Sequence, residues 1–144
     1  LGKAVELCRE KMDSEAKEQI ALRDKLIREL PKKIEPLYLN GHPTQRLPNN
    51  VNFSVEYIEG ESMLLNLDML GIAASTGSAC TSGDLEPSHV LLSIGRPHEL
   101  CHGSVRLSLG RFSKESDVDR FLDVFPQIVS KLRAMSPLYD AQKH

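Results

Sequence analysis

The sequence predicts an α+β fold: a small antiparallel sheet with helices covering one face. Three observations point there. Apolar residues recur at helical spacing near both ends of the chain, while apolar and polar residues alternate strictly in two stretches between them. The turn pair Asn40-Gly41 follows an apolar run and permits antiparallel pairing. Mixed helices and strands of this kind are economically packed as helices on one side of a sheet.

The elements follow in order. Leu1, Ala4, Val5, Cys8, Met12, Ala16, Ile20, Leu26 and Leu30 define one long amphipathic helix, ended by Pro31. Cys8 falls on its apolar stripe and is expected to pack. Ile34–Leu39 reads as a strand, and residues 42–50 as a polar, proline-containing loop. Val51, Phe53 and Val55 alternate with Asn52 and Ser54, a half-buried strand. Glu61–Leu70 is a short helix closed by Gly71, and Ile72–Ala74 a short apolar strand. Residues 87–94 predict a further short helix stopped by Gly95. Val105, Leu107 and Leu109 alternate with Arg106 and Ser108 in a last strand. Ser113 is a good N-cap for a final helix reaching about Met135, with Glu115 and Asp117 in its first turn and a kink or break expected at Pro126.

A chain of 144 residues makes one ordinary domain, able to bury roughly two-thirds of its unfolded surface. Net charge is −2 with both signs interspersed, which argues against a nucleic-acid footprint and against a disordered tail. No apolar run approaches membrane-spanning length and no signal-peptide pattern opens the chain. The Asn52-Phe53-Ser54 sequon therefore reads as plain strand. Three cysteines without a C-x-x-C pair argue against a disulfide framework or a structural zinc site, and fit a reducing, cytoplasmic compartment. The start at Leu1-Gly2-Lys3, inside a helical pattern, suggests a cut within a longer polypeptide.

The stretch AASTGSACTSG, residues 73–83, holds Cys80 among Gly, Ser, Thr and Ala. Small neighbours would leave its sulfur accessible, and an exposed thiolate on a movable loop is a nucleophile. A tight turn with an incidental cysteine fits the same composition. Arg106, between Ser104 and Ser108 on a predicted strand, points away from Val105 and Leu107. Its fork suits a carboxylate, and a solvated or ion-paired strand arginine is the plain alternative. Histidines 42, 89, 98, 102 and 144 do not converge on a site, and Cys101-His102, as sequence neighbours, are expected to point apart. Asp84 and Glu86 read as caps for the helix that follows. No phosphate-binding glycine loop, H-E-x-x-H metal motif or G-x-S-x-G element is expected to act here.

Taken together, STGSACTSGDLEPSHVLLSIG, HGSVRLSLGRFSKESDVDRFLDVFP and SPLYD resemble the C-terminal part of NifS/IscS-type cysteine desulfurases. LNGHPTQRLPNNVNFSVEYIEGESMLLNLDMLGIAASTGSAC is similar to the region preceding it. The likeness runs from Leu1 to Asp140 and resembles the family's first group, with the longer cysteine loop. It implies a class V aminotransferase fold, the α/β class of pyridoxal-phosphate fold type I. The reaction implied is release of sulfur from L-cysteine, leaving L-alanine and a persulfide on Cys80. The sulfur would pass to an iron–sulfur scaffold or another acceptor protein, and Arg106 would hold the substrate carboxylate. The cofactor lysine, the stacking histidine and the aspartate of the family's large domain have no counterpart here. Residues 1–144 would then be the small domain alone, starting within the interdomain helix. By itself it is expected to hold no pyridoxal phosphate and to turn over no cysteine, the parent enzyme being a homodimer. The alternatives are a stand-alone sulfur-carrier or interaction module, and, less favoured, a thiol sensor pairing Cys80 with Cys101. Spacing and charge balance lead to the expectation of no metal ligand and no nucleic-acid or membrane partner.

Overall fold

The structure, a computed structural model, describes residues 1–76 and 87–140. Cys80 lies outside the described residues. The elements are α1 (Gly2–Glu29) with a 3-10 turn (Leu30–Lys32), β1 (Leu37–Leu39), β2 (Asn50–Val55), α2 (Gly60–Met69), α3 (His89–Ser93), α4 (His98–His102), β3 (Ser104–Ser108), α5 (Glu115–Ala134) and α6 (Pro137–Asp140). The strands form one antiparallel sheet in the order β1-β2-β3. The predicted α+β architecture is thus present.

Period-2 patterning sets the faces of the sheet. Val51, Phe53 and Val55 of β2 and Val105 and Leu107 of β3 are buried on one side. Against them pack Leu26 and Leu30 of α1, Met63 and Leu67 of α2, and Val118, Phe121, Leu122, Phe125, Ile128 and Val129 of α5. Each such side chain contributes about 1.5–3 kcal/mol on leaving water, so this face is where the helices are held. Phe121 and Phe125 stack with ring centroids 4.8 Å apart, one turn apart along α5.

Several elements differ from expectation for identifiable reasons. The first strand begins at Leu37 rather than Ile34. The carbonyls of Glu35 and Pro36 accept hydrogen bonds from the buried Arg133 of α5, at 2.7 and 2.9 Å, and so are turned away from a ladder. The Ile72–Ala74 strand does not form. Its place is taken by a single antiparallel bridge between Ser75 and Arg106. Ser113 does not cap α5: its hydroxyl accepts the Gly110 N–H at 2.9 Å and closes the turn after β3. Lys114 is the cap residue instead, its backbone N–H donating to Asp117 Oδ2 at 2.8 Å. Cys8 is exposed. The N-terminal part of α1 lies away from the core, with Val5 and Met12 exposed as well.

Pro126 does not break α5 into two helices; the element is continuous across it. A proline there has no N–H for the carbonyl four residues earlier, that of Leu122. Lys33 supplies the missing donor, its ammonium reaching Leu122 O at 3.1 Å and Asp123 Oδ1 at 3.4 Å. Lys33→Met is expected to lower stability by about 1 kcal/mol, read from the denaturant midpoint. Pro126→Ala should remove that sensitivity, and an equal cost in both backgrounds would refute the compensation. Among the described residues, no helix is long and apolar enough to cross a membrane.

Candidate functional site

The second face of the sheet is polar, and one row across it is organised. Asn40, just after β1, donates its N–H to Asn52 O at 2.9 Å. Asn52 lies opposite Arg106 in the β2–β3 register, and Arg106 lies opposite Ser75 through the isolated bridge. Ser75 N donates to Arg106 O at 3.1 Å and Arg106 N to Ser75 O at 2.6 Å. Asn40, Asn52, Arg106 and Ser75 therefore stand side by side, as cross-strand neighbours do.

Side chains lock one end of this row. Asn40 Nδ2 donates to Asn52 Oδ1 at 2.6 Å and to Ser54 Oγ at 2.9 Å. Arg96, on the turn between α3 and α4, donates to Asn40 Oδ1 at 2.7 Å and to Leu39 O at 2.6 Å, and its guanidinium lies over the Tyr38 ring. The Tyr38 hydroxyl donates to Glu56 at 2.7 Å, and this bond to a carboxylate raises its pKa by holding the proton.

The other end is held less tightly. Arg106 Nη2 reaches Ser75 Oγ at 3.4 Å, and Arg106 Nε is buried with no partner among the described residues. A guanidinium carries five donors in a rigid fork. Leaving a buried one unpaired costs roughly 1–3 kcal/mol, so a carboxylate arriving there would relieve the arginine as well as bind to it. The alternation of β3 correctly places Arg106 opposite Val105 and Leu107. Its unpaired nitrogen and the bridge to Ser75 come from chain segments far apart in sequence.

The close packing around this row depends on two glycines. A Cβ on Gly60, at the start of α2, would sit 2.8 Å from Thr76 Cγ2 and 2.9 Å from His102 O. A Cβ on Gly103 would sit 2.2 Å from Val55 O. Glycine at both positions lets α2 and the end of α4 abut the segment that leads to residue 77.

The remaining candidates separate. Cys101 is buried at 4% exposure, and burial pushes its thiol pKa up, which keeps it protonated and unreactive. Its Sγ donates to Arg96 O at 3.8 Å, so a packing role accounts for it. His42 accepts backbone N–H bonds from Thr44 and Gln45 and caps a loop. Two of the histidines do stand together: His98 and His102 stack on α4 with ring centroids 4.9 Å apart. The string His98-Glu99-Leu100-Cys101-His102, an H-E-x-x-H pattern, is the signal in the sequence that could have found them.

Comparison with known proteins agrees with this architecture. The family described as aminotransferase class-V matches residues 1–121. The chain is 60% identical over 138 residues to a protein named cysteine desulfurase IscS from Methanosarcina thermophila, covering 96% of this chain and 34% of that protein. It is 54% identical over 138 residues to cysteine desulfurase IscS 1 of Archaeoglobus fulgidus, again covering 96% of this chain and 36% of the relative. The chain thus spans about a third of the length of the relatives it matches. A solved structure named NifS-like protein superposes with a TM-score of 0.75 at 28% identity, over 89% of this chain and 31% of that one.

Proposed function

This chain belongs to the aminotransferase class-V family, and from that premise we propose that it is the C-terminal, sulfur-accepting part of a cysteine desulfurase. In this reading Arg106 grips the carboxylate of L-cysteine and Cys80 takes the sulfur. The Cys80 thiolate attacks the substrate sulfur; an S–S bond forms as the substrate C–S bond breaks, and the carbon gains a proton to leave L-alanine. A thiol acceptor on an iron–sulfur scaffold or a thiolation partner then removes the outer sulfur, in a cytoplasmic setting. The observation that carries the proposal is the partly unpaired Arg106 guanidinium beside Ser75. Cys80 is five positions after Ser75, so covalent reach keeps the two α-carbons within about 18 Å.

The family's chemistry relies on pyridoxal phosphate, which withdraws electrons when bound through a lysine imine. Lys3, Lys11, Lys17 and Lys25 do not fit that role. Those on α1 at positions 3, 11 and 17 are exposed. Lys25 is held by Asp119 at 2.6 Å and Glu115 at 2.7 Å, and these bonds raise its pKa, the reverse of what imine formation asks of a lysine. The cofactor would accordingly be held by a large domain outside these residues. The exposed Val5, Cys8 and Met12 on α1 support a helix that continues against such a domain.

The test is the full-length protein, assayed for alanine released from L-cysteine. Arg106→Ala is expected to raise KM about 10- to 100-fold, the range for losing a charged hydrogen-bonded grip, with a smaller effect on kcat. Arg106→Lys should recover part of the loss, because it keeps the charge and forfeits the fork. Unchanged KM in Arg106→Ala would refute the assignment. Sulfur uptake on Cys80 from a persulfide donor, without alanine formation by the full-length protein, would instead favour a carrier module.

A further inference from the structure

We propose that His98 and His102 form a two-imidazole site for a late divalent transition-metal ion. The site lies in the cleft between α4 and the segment after β2. The two residues sit one turn apart on the same side of α4, and their rings approach to 4.9 Å between centroids with their planes tilted by 55°. His98 is exposed and His102 half-buried, so one ring stands in solvent while the other is partly fixed by its surroundings. Among the described residues neither ring makes a hydrogen bond, in contrast to His42, whose Nδ1 is occupied by the N–H groups of Thr44 and Gln45. Both imidazoles therefore keep a lone pair free for a metal.

The surroundings suit a cation. Glu56, Glu59 and Glu99 line the same cleft as His98 and His102, and a cleft of one charge sign concentrates the opposite one. Glu56 is engaged by the Tyr38 hydroxyl and serves as field rather than ligand. Leu100 and Cys101 face the core, as their burial shows, so the intervening residues of α4 keep the two histidines turned outward.

The H-E-x-x-H string would by itself suggest a zinc peptidase, with Glu99 as general base. The structure argues otherwise. Among the described residues, no group of three or more His, Cys, Asp or Glu side chains is placed to hold a metal. A catalytic zinc needs three protein ligands and an open position. Two imidazoles leave the remaining positions to water, which makes a site that binds and exchanges its metal rather than one that hydrolyses peptides. Affinity should follow the usual order for nitrogen ligands, with Cu2+ above Ni2+ and Zn2+.

The test uses the untagged chain with its accessible thiols alkylated, titrated with Cu2+ and with Ni2+ by calorimetry. One equivalent of Cu2+ is expected, with an electron paramagnetic resonance spectrum showing coupling to two nitrogens. His98→Ala and His102→Ala should each weaken Cu2+ binding by more than about tenfold, the least that loss of even a ligand's hydrogen-bond partner costs, while His89→Ala leaves it unchanged. His98 is exposed, so its replacement leaves packing intact, and circular dichroism confirms the fold of each variant. Undiminished binding in the double variant, dependence on one histidine alone, or a wild-type spectrum without two-nitrogen coupling would each overturn the proposal.

Discussion

Cys80→Ser in the full-length protein is expected to reduce alanine formation from L-cysteine by at least about a thousandfold, the scale seen when a covalent enzyme loses its nucleophile. Serine keeps the size and the hydrogen-bonding capacity of the side chain. It loses the ability to be deprotonated near neutral pH and to form a bond to sulfur that a thiol can later break. Arg106 is untouched by this change, so KM should stay within about threefold, which is under about 1 kcal/mol in binding. The contrast with Arg106→Ala separates the two roles: one variant loses the acceptor and keeps the grip, the other the reverse. Mass spectrometry should find an added sulfur on the Cys80 peptide of the native protein and none in the variant. The exposed Cys8 and the buried Cys101 stand as internal controls. Sulfur on Cys8 with full turnover in Cys80→Ser would remove Cys80 from the mechanism.

How much of this was readable in advance depended on what each residue touches. The alternation in β2 and β3 was legible because one face of the sheet is buried by three helices, which imposes a strict period of two. The Ile72–Ala74 strand was misread because apolar composition does not supply a partner; only Ser75 meets β3 there. Pro126 looked like a break because its compensating donor, Lys33, lies 89 positions from the carbonyl of Leu122 that it satisfies and reaches it only after folding. Cys8 looked like a core residue because a stripe can be drawn along the whole of α1, while only the C-terminal part of that helix meets the sheet. At the candidate site, the direction of Arg106 followed from its strand. Its unpaired Nε and the Asn40–Asn52 and Arg96 contacts around the row are tertiary. Cys80 acquired a role from the flanking likeness to a family, since its small neighbours serve a turn as well as a reactive loop.

Gly103→Ala is expected to be the most damaging single-methyl change in the sheet. Gly103 lies between α4 and β3, and its carbonyl accepts the Val55 N–H at 2.9 Å. A Cβ there would stand 2.2 Å from Val55 O and 2.8 Å from Ile58 O, both backbone atoms that no rotamer change can move aside. Ordinary contact would require a shift of more than about 1 Å, and that shift breaks the Val55–Gly103 bond at the end of β2. Overpacking of this kind costs about 1–3 kcal/mol, and more where backbone must move. For a domain of this size roughly 3 kcal/mol corresponds to a fall in Tm on the order of 10 °C. Gly110→Ala is the matched control: it lies just past β3, nothing comes within 4 Å of its added Cβ, and it should be neutral or slightly stabilising through the unfolded chain. Because β3 carries Arg106 three residues after Gly103, the same displacement should loosen the Ser75–Arg106 bridge. Gly103→Ala protein that still folds at low temperature should therefore show raised KM for L-cysteine, in the direction of Arg106→Ala. A Tm equal to that of Gly110→Ala would mean that α4 and β2 do not meet as closely as these distances require.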